Sequence, residues 1–137
     1  MTDFLLDTCA VLWTAHKDPL REPAATELQE AYRRGSSLCV SPITAWEIAM
    51  LVAKGKVALA LEPDDWFERY CELPSVMLAA MPPSVLIAST KLPGSPPTDP
   101  ADRIIIATAR ASGYVLVTRD AKILEYGSHG HVQVVEC

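Results

Sequence analysis

Phe4-Leu5-Leu6-Asp7-Thr8-Cys9-Ala10-Val11-Leu12-Trp13 changes character at its middle. Phe4 to Leu6 is a short apolar run of the kind expected in a strand buried on both faces. Asp7 and Thr8 both cap helices well, and Ala10 to Trp13 reads as the helix that follows. Strand, turn and helix within ten residues open an α/β unit, and the turn carries an acid.

The same alternation continues along the chain. Pro23 fits the first turn of a second helix, with Leu28, Ala31 and Tyr32 on one face, Arg33-Arg34 at its end and Gly35 as terminator. Leu38 to Val40 reads as a second buried strand, and Ser41-Pro42 as the N-cap and first position of a helix over Ile43 to Ala53. Pro63-Asp64-Asp65 opens another helix that turns Trp66, Phe67 and Tyr70 inward and stops before Pro74. Val76 to Ala80 is expected to be a core strand and Val85 to Lys91 a helix, while Pro93 to Pro97 is a turn-rich loop. Arg103 to Ser112 reads as a helix ended by Gly113, followed by strands at Tyr114 to Val117 and Val132 to Val135. Strands alternating with helices predict a three-layer α/β/α domain around a mostly parallel sheet, as one unit over residues 1–137.

Half of the 137 residues are hydrophobic and 21% are charged, a globular composition. Prolines 74, 82 and 83 interrupt the uncharged stretch from Leu73 to Thr90, so no membrane span is expected there. Met1 leads into an apolar strand without a basic leader or small-residue cleavage site, so a cytoplasmic location is expected. Cys9, Cys39, Cys71 and Cys137 form no C-x-x-C pair and read as buried free thiols. A net charge of -5 argues against broad adhesion to nucleic acid, although not against a local RNA site.

Four carboxylates stand out. In open α/β sheets ligands gather beyond the carboxyl ends of the strands, and Asp7 and Asp120 each follow an apolar strand there. Asp102 stands at the mouth of the Arg103 helix, which feeds the strand leading to Asp120. Glu47 sits between Ala45-Trp46 and Ile48-Ala49 in a helix that otherwise looks core-facing, with no Lys or Arg within one turn. A carboxylate in such surroundings calls for a partner or a metal ion. Singly, Asp7, Asp99 and Asp102 also fit plain N-caps, and Asp120 fits a turn. Together they form an all-oxygen set suited to Mg²⁺ or Mn²⁺, a site able to activate water for phosphodiester attack.

Phe4-Leu5-Leu6-Asp7-Thr8, Val40-Ser41-Pro42-Ile43-Thr44-Ala45-Trp46-Glu47-Ile48, Asp99-Pro100-Ala101-Asp102-Arg103-Ile104-Ile105-Ile106-Ala107-Thr108-Ala109 and Leu116-Val117-Thr118-Arg119-Asp120, in that order, resemble the PIN-domain ribonucleases. Within that family they resemble the VapC-type toxins of bacterial toxin-antitoxin pairs, over nearly the whole chain. The resemblance implies Asp7, Glu47, Asp102 and Asp120 as metal-binding catalytic acids, with Asp99 close by and ranked second. Thr8 and Thr118 look like residues that hydrogen-bond those acids. The resemblance further implies an RNA substrate, a homodimer and a cognate antitoxin whose basic or aromatic segment enters the acidic site.

Arg103 and Arg119, each beside a proposed ligand, are candidates for steering RNA phosphates, whereas Arg110 and Lys122 read as solvated surface. His129-Gly130-His131 reads as a loop, and Trp13, Trp46 and Trp66 as core or dimer packing more than as base-stacking groups. The competing readings are a receiver-like Mg²⁺-binding switch, a haloacid-dehalogenase-like phosphatase, a domain that only holds RNA or protein, and a housekeeping PIN nuclease without an antitoxin. A receiver wants paired acids after its first strand and the phosphatase wants Asp-x-Asp. Asp7-Thr8-Cys9 offers neither.

Overall fold

The computed structural model describes residues 3–16 and 20–137. Five strands, β1 (Phe4–Leu6), β2 (Leu38–Val40), β3 (Val76–Leu78), β4 (Val115–Thr118) and β5 (Val134–Glu136), form one sheet in the order β3-β2-β1-β4-β5. Every neighbouring pair is parallel. Helices α1 (Thr8–Ala15), α2 (Ala24–Arg33), α3 (Pro42–Ala53), α4 (Pro63–Cys71), α5 (Pro83–Ser89), α6 (Pro100–Ser112) and α7 (Ala121–Ser128) supply the crossovers. The α/β fold with a parallel sheet expected from the sequence is present. The strand order runs outward from β1 to β3, then restarts at β4 on the other side of β1. That reversal between β1 and β4 is the switch point at which open sheets bind ligands, and it is not the 2-1-3-4-5 order of a receiver.

Alternating side chains of these strands feed two cores. Leu6, Val40, Val117 and Val135 join Val11 and Ile48 on one face, whereas Leu5, Cys39 and Leu116 join Ile105, Ile106 and Tyr126 on the other. Leu5 and Leu6 are both fully buried. Each contributes about 1.5–3 kcal/mol by leaving water, so the three-residue β1 is held by both layers at once. Gly113 ends α6 in the left-handed region at φ 70°, a conformation glycine reaches without a Cβ clash, and so turns the chain into β4.

Three expectations need correction. Helix α6 begins at Pro100 and not at Arg103, because Asp99 is the N-cap and accepts a hydrogen bond from the Asp102 amide at 3.1 Å. Strand β3 is shorter than Val76 to Ala80 and lies at the sheet edge with Met77 and Leu78 exposed, so it is no core strand. Helix α7 was not expected from the sequence. Its signals are Asp120, which accepts from the amides of Lys122 and Ile123, and the buried pair Ile123 and Tyr126 one turn apart. The nearby Gly127 and Gly130 masked them.

Gly127 also sets how closely α7 approaches the sheet. A Cβ there would lie 2.6 Å from Val134 Cγ2 and 3.2 Å from the Val132 carbonyl oxygen. Alanine's better helix propensity, worth about 1 kcal/mol, is then outweighed by overpacking that costs about 1–3 kcal/mol. Gly127→Ala is expected to lower the unfolding free energy by about 1 kcal/mol, checked by urea titration. A stabilised variant would show that α7 stands farther from β5 than described.

Candidate active site

Because all strands run parallel, every strand-to-helix turn lies at one edge of the sheet. Asp7 ends β1 and caps α1: Oδ1 accepts from the Ala10 amide at 2.8 Å, and Oδ2 accepts from the Thr118 hydroxyl at 2.5 Å. The same Thr118 oxygen accepts from the Asp120 amide at 3.0 Å. One fully buried hydroxyl on β4 therefore couples the carboxylate after β1 to the backbone of the acid after β4. Thr8 donates to Glu47 Oε1 and lies 3.2 Å from the Thr44 hydroxyl, which links the first turn of α1 to α3.

Asp7, Glu47, Asp102 and Asp120 line a single cleft of about 390 Å³ at this edge, together with Thr8, Cys9, Trp13, Leu51 and Arg119. Asp99 is not part of that wall. It borders an adjoining hollow of about 350 Å³ that it shares with Asp102 and Asp120. Arg103 lines neither hollow; its Nε donates to the Pro97 carbonyl at 2.7 Å and pins the loop ahead of α6. A larger hollow of about 660 Å³ lies at the opposite edge, where β4 and β5 begin, and carries no acid.

The charges in the cleft oppose one another. Burial, and then the neighbouring charges of Asp99, Asp120, Glu47 and Asp7, push the Asp102 carboxyl up to about 7. Asp7 is raised by burial, against the hydrogen bonds from Thr118 and Ala10 that favour its charged form. Glu47 is raised by burial, offset by the Thr8 bond and reinforced by Asp99 and Asp7. Three acids that hold protons more tightly than usual in one cleft are uncompensated negative groups, which a bound cation would stabilise in their charged form.

Among the described residues, no three His, Cys, Asp or Glu side chains are grouped so as to hold one ion between them as they stand. The donor chemistry still fits Mg²⁺ or Mn²⁺. Such an ion takes one or two carboxylates directly and keeps several waters, so it needs no tight protein cage. The all-oxygen set suits it better than a thiophilic metal.

Cys9 corrects the expectation of buried thiols. It is exposed at the cleft, Cys71 is half-buried, and only Cys39 and Cys137 are buried. Enclosure of its sulfur by the cleft wall, then the acids Asp7, Glu47, Asp102 and Asp120, push the Cys9 thiol up to about 11, which makes it a poor nucleophile at neutral pH. Trp46 is exposed and not core. His131 stacks on Tyr126 with 4.7 Å between ring centroids, away from the acids. Arg119 and Trp13, which sequence reasoning treated separately, are stacked on each other with 3.6 Å from Arg119 Cζ to the ring centroid.

Acids gathered at the switch point of a parallel sheet suit several Mg²⁺-dependent classes, and a family model for the PIN domain, which matches residues 4–128, decides among them. The chain belongs to the PIN-domain family. It is similar to Ribonuclease VapC22 of Mycobacterium tuberculosis (strain ATCC 25618 / H37Rv), with 35% identity over 136 residues and 98% of each chain covered. The VapC-type resemblance read from the sequence is thereby borne out. Among solved structures it is similar in fold to VapBC2 from Rickettsia felis, bound to a DNA fragment from their promoter, at 13% identity, a TM-score of 0.68 and 98% of each chain covered. It is likewise similar to DNA-bound VapBC from Salmonella typhimurium, at 22% identity and a TM-score of 0.64, covering 99% of this chain and 98% of that one.

The raised Asp102 carboxyl makes a pH prediction for EDTA-treated protein. Its ordinary value is 3.8 and its folded value about 7, so the stability it contributes is complete below about pH 4. That contribution is lost as pH rises through 7. The unfolding temperature of the parent is therefore expected to fall relative to Asp102→Asn between about pH 4 and 7, and Mn²⁺ is expected to reverse the difference. Parallel curves for the two proteins in scanning calorimetry would show that Asp102 is not under charge strain.

Proposed function

We propose that the chain is a metal-dependent endoribonuclease of the toxin type, hydrolysing RNA phosphodiesters at the cleft between β1 and β4. The observation that carries this reading is the convergence of Asp7, Glu47, Asp102 and Asp120, from four separate stretches of sequence, on one cleft. The 35% identity to a protein named as a ribonuclease supports it. Asp7, Asp102, Asp120 and Glu47 would hold Mg²⁺ or Mn²⁺. When bound, the cation supplies charge neutralisation at the phosphate and lowers the pKa of the attacking water.

The protein's own residues set the stage for that chemistry. Thr118 and the Ala10 amide fix Asp7 in one rotamer, so its free lone pairs face the cleft without an ordering cost at each turnover. Thr8 does the same for Glu47. Asp99 takes over the capping of α6, which leaves the Asp102 carboxylate free of that structural task. No side-chain nucleophile is needed, in keeping with the protonated Cys9 thiol.

The same reading includes a cognate antitoxin, a cytoplasmic setting and one nuclease domain over 1–137. No helix among the described residues is long and apolar enough to cross a membrane. A homodimer is supported by apolar surface on edge strand β3 and the helix after it: Met77 is 55%, Leu78 54% and Ile87 57% exposed. An uncovered apolar edge strand is a liability in a lone monomer.

Asp102→Asn tests the site. Asn removes one negative charge and keeps the shape, and the cap belongs to Asp99, so the variant is expected to lose most RNA cleavage in Mn²⁺ while folding at least as well as the parent. Cleavage at the parent rate would refute the site, as would undiminished cutting by EDTA-treated parent. Sedimentation of Met77→Lys is expected to show a shift from dimer to monomer at micromolar concentration. A parent that sediments as an active monomer would remove the dimer from this reading.

A further inference from the structure

The wall of the acid cleft contains one flat, cationic surface. Arg119 Cζ stands 3.6 Å from the centre of the Trp13 ring, the separation of groups in full contact. Arg119 Nε donates to the Cys137 carbonyl at 3.1 Å, so the guanidinium is held from a second side. Trp13 lies one helical turn after Cys9 on α1, and both line the cleft with Asp7. Arg119 immediately precedes Asp120 and is the one basic side chain among the described residues of that wall.

Acids alone repel a polynucleotide, and a single guanidinium offsets few of them. A base is uncharged, however, and its π-face stacks on aromatic rings and guanidinium planes whatever the charge around it. Trp13 backs onto the core and Arg119 is locked by a backbone carbonyl, so the pair is rigid before any ligand arrives. We propose that the Trp13–Arg119 stack is a nucleobase subsite, holding one unpaired base of the RNA beside the phosphate that is cut. This rests on the ribonuclease reading above and adds what selects the cut position. A phosphate contact by Arg119 needs only its charge, whereas a stacking surface needs the plane and the indole behind it. A basic or aromatic protein segment is the rival occupant.

The test compares the parent with Trp13→Leu, Trp13→Phe and Arg119→Lys. Steady-state cleavage and mapping of cut positions use a pool of single-stranded RNA. Tryptophan fluorescence is titrated with uncleavable 2′-O-methyl oligonucleotides in EDTA. Trp13→Leu and Arg119→Lys are expected to raise KM about tenfold or more with kcat little changed, and to blunt the base preference at the cut. Trp13→Phe is expected to restore both, and the fluorescence quench seen in the parent should vanish in Trp13→Leu.

Parent-like KM and preference in Trp13→Leu overturn the subsite, and so does a parent-like Arg119→Lys, which marks a simple phosphate contact. Equal loss of kcat in Trp13→Phe and Trp13→Leu, with lowered unfolding temperatures, assigns Trp13 to packing and also overturns it. Unchanged RNA binding with weakened binding of a basic peptide gives the surface to a protein partner instead. A parent that cuts no RNA at all overturns the ribonuclease reading and the subsite with it.

Discussion

Like charges do not gather in a cleft unless something holds them, and here two of the four cleft acids, Asp7 and Asp120, are held as helix N-caps. Asp7, Asp99 and Asp120 cap α1, α6 and α7, each accepting from amides of the first helical turn. Every such end carries roughly half a positive charge. The all-parallel sheet brings these ends to one edge, so topology itself supplies the field that lets acids sit close. Removing one helix start would take away both an anchor and part of the compensation. The buried Thr118 hydroxyl then sets the spacing across the switch point, because it bonds both Asp7 and the Asp120 amide.

Much of this was legible in the residues. Phe4 to Leu6 reads as a buried strand and is one, and Ser41-Pro42 marks a helix start that the structure places at the same residues. What escaped is what depends on distant partners. Nothing near Met77 and Leu78 says that no strand lies beyond β3, so an apolar run that reads as core ends up at an edge. Asp102 reads as a helix mouth because the helical apolar pattern begins just after it; Asp99-Pro100 is the actual cap-and-start pair. The Trp13–Arg119 contact joins residues more than a hundred positions apart and leaves no local pattern at all.

The cleft is also selective in what it admits. Four of the chain's 17 acidic residues line this one cleft, where Asp102 is strained toward neutrality, so a small divalent cation would gain most there and a bare phosphate least. Arg103, a candidate for steering RNA phosphates from its place beside Asp102, donates through Nε to the Pro97 carbonyl and lines neither hollow. The basic residues near the acids thus do different work: one holds the loop ahead of α6, the other lies over Trp13 in the cleft wall.

The bond between Thr118 and Asp7 spans 111 positions of sequence. During synthesis from the amino end, Asp7 and Glu47 emerge long before Asp102, Thr118 and Asp120. Strand β1 is central, yet its partner β4 follows it by more than a hundred positions, and long-range parallel pairing is slow to form. Before β4 is made, a nascent chain therefore carries three of the four cleft acids without the strand that unites them. The four acids of the cleft are brought together only once that late, long-range pairing has formed.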